Sequence, residues 1–158
     1  MNYRKEGRIE AIKKVLEEAG ATNILGTDES KMTELENLSS NRRRVDPNGI
    51  KIADVVFVPL EDGDRTMALK KLNKKVIAVD LNPISRTSLW ADITIVDNIV
   101  RALPEMIKTS TELKKLPPKE LNAIVAKFNN KKNIQNMLHA IIKYIKVQKK
   151  DPFKNIRS

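Results

Sequence analysis

The sequence predicts an α/β fold, a mainly parallel sheet with flanking helices and a helical region at the C-terminal end. Three observations predict it. First, three short runs rich in β-branched residues sit mid-chain, within 53–59, 76–79 and 93–96. Apolar runs of that length read as buried parallel strands. Second, each run ends in an acidic residue and a turn: Glu61-Asp62-Gly63-Asp64-Arg65-Thr66, Asp80-Leu81-Asn82-Pro83 and Asp97-Asn98. Third, the segments between the runs have room for short crossover helices, and the segments after them carry a helical apolar pattern.

Taken in order, residues 5–19 predict a helix, because Ile9, Ile12, Val15 and Leu16 share one face of a 3.6-residue period. Gly20 is its stop. Thr22 to Gly26 suggests a short strand. Residues 27–50 read as a long polar loop with a basic cluster, Arg42-Arg43-Arg44, and a turn at Asp46-Pro47-Asn48-Gly49. After the first strand, Asp64 is expected to cap a helix over 65–72. The second and third strands are separated by a segment near the minimum for a parallel crossover, with room for two helical turns in 84–90. Beyond Asp97, expected as the next cap, a helix runs through Ile107, and Pro104 is expected to kink it or divide it. Pro117-Pro118 precedes a helix over 119–128. Ile134, Met137, Leu138, Ile141, Ile142 and Ile145 form the apolar face of the last helix. The expected organisation is one α/β nucleotide-binding domain over 1–148, its C-terminal helices starting near 117. Residues 149–158 form a tail outside the fold.

Length and composition suit such a domain: 158 residues, 41% hydrophobic and 32% charged. There is no cysteine, so disulfides and thiolate metal sites are excluded. No apolar stretch approaches membrane-spanning length and the first residues lack a signal-peptide core, so a cytoplasmic location is expected. The net charge of +10 is uneven: residues 1–113 balance, and 114–158 hold 12 basic and 2 acidic side chains. A solvated lysine face accounts for this more economically than a nucleic-acid surface. Aromatic stacking residues in the tail are few, Phe128, Tyr144 and Phe153.

In an open α/β sheet, ligands collect beyond the carboxyl ends of the strands. At the first strand end, Gly63 permits close backbone approach, Arg65 and the helix amides suit an anion, and Asp62 and Asp64 suit a bridging Mg²⁺. Asp64 as a mere helix cap is the alternative there. At the second, Asp80 suits ribose hydroxyls, Asn82 a base or sugar, and Arg86 and Thr87 phosphates. An ordinary Asx turn is the alternative. At the third, Asn98 is placed to face the same cleft. Neither a G-x-G-x-x-G nor a P-loop motif occurs. His139 falls off the apolar stripe of the last helix and is expected to be exposed. No His-Cys-carboxylate cluster suggests a transition-metal site.

Three blocks in order, Pro59 to Thr66, Asp80 to Pro83 with Ser85-Arg86, and Ala91 to Ala102, resemble the core of the archaeal phosphopantothenate synthetase (4-phosphopantoate–β-alanine ligase) family. A weaker likeness includes Tyr3-Arg4, Arg42, Val45-Asp46 and Asn48-Gly49-Ile50, and extends as helical pattern to Tyr144. The resemblance implies an ATP-dependent acid–amine ligase of coenzyme A biosynthesis. It would join 4-phosphopantoate and β-alanine through an acyl-adenylate, with ATP and Mg²⁺, as a homodimer. It places ATP against Asp80, Leu81, Asn82, Arg86, Thr87, Asn98 and Ile99. Arg86, Asp62, Asp64 and Arg65 are the candidate catalytic residues. The family also has a long N-terminal portion, with nucleotide-contacting arginines and glycine-rich motifs, that nothing here matches. Ser40 and Arg43 stand where the family has a histidine and a glycine. The chain is thus expected to be a fragment, a shortened reading frame or a reduced member, able to fold but inactive alone. Two other functions stand beside this one: a nucleotide-binding module without catalysis, and a nucleic-acid-binding protein using the basic tail.

Overall fold

The structure, a computed structural model, describes residues 7–34 and 44–150. Arg42, Arg43, Ser40, Tyr3-Arg4 and the expected tail beyond 150 lie outside the described residues. The chain divides into two compact units, Met1–Asp54 and Val55–Ser158.

In the first unit, α1 spans Arg8–Glu18, close to the expected helix. No strand forms at Thr22 to Gly26; that segment is irregular backbone. The polar stretch after it is not wholly loop. Two-residue strands β1 (Thr33–Glu34) and β2 (Arg44–Val45) pair antiparallel. The expected turn is present. Asp46 Oδ1 accepts from the Asn48 N–H at 2.9 Å, and its Oδ2 from the Gly26 N–H at 3.1 Å. The carboxylate thereby opens the helical turn Pro47–Lys51.

The second unit contains the predicted parallel sheet, in the order β3 (Val55–Val58), β4 (Lys75–Val79), β5 (Ile93–Ile95). Phe57 registers with Ile77 and Ile77 with Ile93, so those three side chains share one face. The alternate positions, Val58, Val76, Ala78 and Thr94, are buried with Leu69 and Ala68. This face packs against α2 (Gly63–Lys71), α3 (Arg86–Trp90) and α6 (Asn130–Gln148). The strands are not buried on both faces, as their unbroken apolar character suggests. On β3, Val55 and Phe57 are 54% and 38% exposed.

The helix starts differ from expectation in two places. Asp62, not Asp64, caps α2: its Oδ1 accepts from the Arg65 N–H at 3.1 Å. Asp62 has non-helical backbone just before the first turn, so its carboxylate can reach forward to that amide, whereas Asp64 already lies within the first turn. Likewise Asn98, not Asp97, caps α4 (Ile99–Leu113), accepting from the Val100 N–H at 2.9 Å. α4 also runs continuously through Pro104. Pro104 deprives the helix of one bond, to the carbonyl four residues back, and that loss does not divide it. α5 spans Pro118–Lys127. The stripe on α6 is buried only at its start: Ile134 is in the core, whereas Ile142 and Ile145 are 49% and 58% exposed.

Candidate functional site

The parallel register sends all three strand ends to one edge. There, Pro59, Leu60, Glu61, Val79, Asp80, Leu81, Asp97, Asn98 and Ile99 line a cleft of about 220 Å³. Four of the residues expected to meet a nucleotide, Asp80, Leu81, Asn98 and Ile99, therefore converge. Glu61, Pro59, Leu60 and Asp97 also line the cleft but were not among the expected site residues. Their signal was available: each lies within a few residues of a strand end.

Asp80 is buried and heavily engaged. Its Oδ1 accepts from the Asn82 N–H at 2.8 Å, and its Oδ2 accepts a short hydrogen bond from the Ser85 hydroxyl. Ser85 Oγ in turn accepts from the Ser88 N–H at 3.0 Å, capping α3. Asn82 does not line the cleft. Its Oδ1 accepts from the Ile84 N–H at 3.1 Å, and its carbonyl accepts from Ser88 Oγ at 2.7 Å. The Asx turn foreseen as the alternative for this segment is thus present. A carboxylate has about four acceptor positions, so Asp80 retains capacity beyond its two bonds.

Asp97 accepts from Arg101 Nε at 2.9 Å and from the Asn98 N–H at 2.6 Å. The Arg101 hydrogen bond, followed by that of the Asn98 amide, holds its carboxyl below the usual range. Asp97 is accordingly a carboxylate at neutral pH, on the cleft wall.

The remaining candidates gather where α2 and α3 begin. Arg86 Nη1 donates to Asp64 Oδ1 at 2.7 Å, with both side chains exposed. Thr87 is fully buried, and its Oγ1 accepts from the Asp62 N–H at 3.0 Å. Arg65 Nε lies 3.8 Å from Asp62 Oδ2 and is buried without a hydrogen-bond partner. Gly63 lies so close to Arg86 that a Cβ on it would meet Arg86 Cβ at 2.8 Å. This explains why glycine opens α2. His139 is exposed, as expected.

Among the described residues no group of three or more His, Cys, Asp or Glu is arranged to hold a metal ion. No described helix is long and apolar enough to cross a membrane.

The model of the phosphopantothenate/pantothenate synthetase family matches residues 1–144. The chain belongs to the phosphopantothenate/pantothenate synthetase family. Among its relatives, the 4-phosphopantoate–β-alanine ligase of Thermococcus kodakarensis is 47% identical over 137 residues, covering 86% of this chain and 52% of that protein. The ligase of the same name from Methanosarcina mazei is 42% identical over 144 residues, covering 91% and 56%. The Thermococcus onnurineus ligase is 46% identical over 137 residues. This synthetase-family chain thus spans about half the length of the curated relatives it matches.

Proposed function

We propose that this chain provides the nucleotide-binding part of an ATP-dependent 4-phosphopantoate–β-alanine ligase serving coenzyme A biosynthesis. The observation that carries the reading is the cleft beyond three parallel strand ends, lined by the family's own motif residues Asp80, Leu81, Asn98 and Ile99. The cleft is smaller than the roughly 300–1,000 Å³ usual for whole-ligand pockets, so it suits part of ATP. Glu61, Asp80 and Asp97 on its walls would repel phosphates but can accept from ribose hydroxyls or an exocyclic amine. The nucleoside is therefore assigned to Asp80, Leu81, Asn98 and Ile99, with Asn82 shaping the loop that carries Asp80.

The phosphates are assigned to Arg86. Its exposed pairing with Asp64 is worth little in water and can be exchanged for a phosphate. Thr87 acts here through its buried bond to the Asp62 amide, which ties the start of α3 to the start of α2. Arg65, whose Nε has no hydrogen-bond partner, and the neighbouring Asp62 and Asp64 are assigned to the acid substrate and to the metal. Two carboxylates and no larger cluster fit Mg²⁺ that arrives chiefly liganded by the ATP phosphates and water.

The reaction proceeds in two displacements. The phosphopantoate carboxylate attacks the α-phosphorus, forming the acyl-adenylate as the bond to pyrophosphate breaks. The β-alanine amine then attacks the acyl carbon, AMP leaves, and the nitrogen loses a proton to solvent. Both steps need alignment and stabilisation of phosphoryl charge more than a strong base. Arg86 and Arg65 supply the positive charge. The exposed C-terminal half of α6 supports a homodimer, since unpaired apolar faces mark interfaces. Light scattering that gives a monomer mass at high protein concentration would remove this part of the reading.

Calorimetry with Mg·ATP tests the nucleotide assignment. Asp80→Ala is expected to weaken binding by about 1–3 kcal/mol, the scale of a hydrogen bond left unmade. Leu81→Glu places a charge on an exposed cleft wall and is expected to cost a similar amount without disturbing the core. Wild-type affinity in both variants would refute the assignment.

A further inference from the structure

Asn130 is the first residue of α6, and its carboxamide is used at both ends. Oδ1 accepts from the Thr94 N–H at 2.9 Å. Nδ2 lies 2.9 Å from the Ala91 carbonyl, 3.1 Å from Thr94 Oγ1 and 3.2 Å from the Ser88 carbonyl. One turn along, Asn133 Nδ2 donates to the Thr94 carbonyl at 2.8 Å. Two carboxamides on α6 thus meet both main-chain groups of Thr94, standing in for a neighbouring strand at the β5 edge.

Closing that edge would need only the bonds to the Thr94 main chain. Asn130 Nδ2 instead reaches the last turn of α3, whose carbonyls lack intrahelical partners. α3 has five residues, too few to be stable alone, so side chains set its position. Ser85 holds its start and Asn130 holds its end. Between them Ser88, fully buried, receives Thr94 Oγ1 on its carbonyl at 2.8 Å and donates its own hydroxyl to the Asn82 carbonyl at 2.7 Å. An unbroken hydrogen-bonded path therefore runs from α6 through Ser88 to the Asp80–Asn82 loop. α3 itself carries Arg86 and Thr87.

We propose that Asn130 is a positioning residue for nucleotide binding, holding α3 and, through Ser88, the Asp80–Asn82 loop in the shape that receives the nucleoside. This rests on the nucleotide reading above. Buried polar networks of this kind are coupled, so loss of one member is felt by the others.

The experiment is calorimetric titration of the full chain with Mg·ATP, well below the melting temperature, for wild type, Asn130→Ala, Ser88→Ala, the double variant and Asn133→Ala. Asn130→Ala is expected to raise the dissociation constant about tenfold, the scale of one lost hydrogen bond, with stoichiometry unchanged. Ser88→Ala should do the same, and the double variant should be little worse than either single one. Asn133→Ala should lower the melting temperature and leave the dissociation constant alone. A merely structural role for Asn130 would lower the melting temperature or the bound fraction at constant affinity, and that result overturns the proposal. Multiplying fold-changes in the double variant overturn it too. If Asn130→Ala does not fold, Ser88→Ala decides, because it cuts the link to Asn82 and leaves the Asn130 bonds in place; wild-type affinity there refutes the path. Absence of ATP binding by the wild-type chain would instead remove the nucleotide reading, and this inference with it.

Discussion

Replacing Gly63 with alanine tests how tightly the starts of α2 and α3 are joined. The new Cβ would stand 2.8 Å from Arg86 Cβ and 3.2 Å from its Nε. Carbon atoms in good contact are about 3.5–4.0 Å apart, so the two backbones must separate by roughly 0.7 Å. Side-chain rotation cannot relieve this, because Arg86 Cβ is fixed by its own helix. Next to the clash, the Asp62 N–H donates to Thr87 Oγ1 at 3.0 Å. The same separation would stretch that bond to about 3.7 Å, beyond useful range, and leave a fully buried hydroxyl without its donor. Overpacking costs about 1–3 kcal/mol and the lost bond about 1 kcal/mol. Alanine's helix propensity returns at most about 1 kcal/mol. The expected net loss is about 2 kcal/mol, or about 4–8 °C in melting temperature for a chain of this size. Circular-dichroism melts measure it directly. Arg86→Gly removes the atom that is struck, so in that background Gly63→Ala should be neutral or stabilising. A melting temperature equal to or above wild type for Gly63→Ala, or an equal loss in the Arg86→Gly background, would refute the reasoning.

Asp92 offers a second test away from the cleft. Burial pushes its carboxyl up, but Lys70 Nζ at 2.6 Å and the Val76 N–H at 2.8 Å, with Lys75 adding to them, outweigh burial and hold it below 3.8. Asp92→Asn is expected to destabilise by about 2 kcal/mol at neutral pH. A depressed folded-state value means stability that is present above 3.8 and lost as pH falls through the folded value. The gap between wild type and variant in urea titrations should therefore close on acidification below that point, and a gap independent of pH would count against the ion pair. Asn98 has two separable duties, capping α4 and lining the cleft. Asn98→Ala should cost about 1 kcal/mol of stability and weaken ATP binding. Asn98→Ser should keep the cap and hence the stability, while still weakening ATP binding; wild-type affinity in the serine variant removes Asn98 from the site.

Much of the architecture was legible in the residues themselves. The three β-branched runs became three parallel strands, because an apolar run of four or five residues between turn signals has few other stable fates. A short helix in this crossover was legible from the crossover's length, though it begins at Arg86 rather than Ile84, and α6 was legible from its period. Helix starts were less legible. Asp62 and Asp64, like Asp97 and Asn98, are adjacent residues of nearly equal capping preference, and only backbone direction chooses between them. The edge of the sheet at which Asp80, Leu81, Asn98 and Ile99 gather followed from parallel strands alone. That Arg86 faces Asp64, and that Thr87 is buried beneath the Asp62 amide, did not follow, since both depend on how two short helices lie against each other.

By itself the sequence determined the fold class, the family and the residues at the three strand ends, because each is written in short-range pattern: period, branching and motif. Tertiary structure alone decided which strand-end residues form a cleft and which are spent on one another. It also brought Asn130 to Ser88, 42 positions earlier in the chain. The physical reason is that a buried polar group takes whichever partner the packed elements bring within about 3 Å, and no local pattern encodes that encounter.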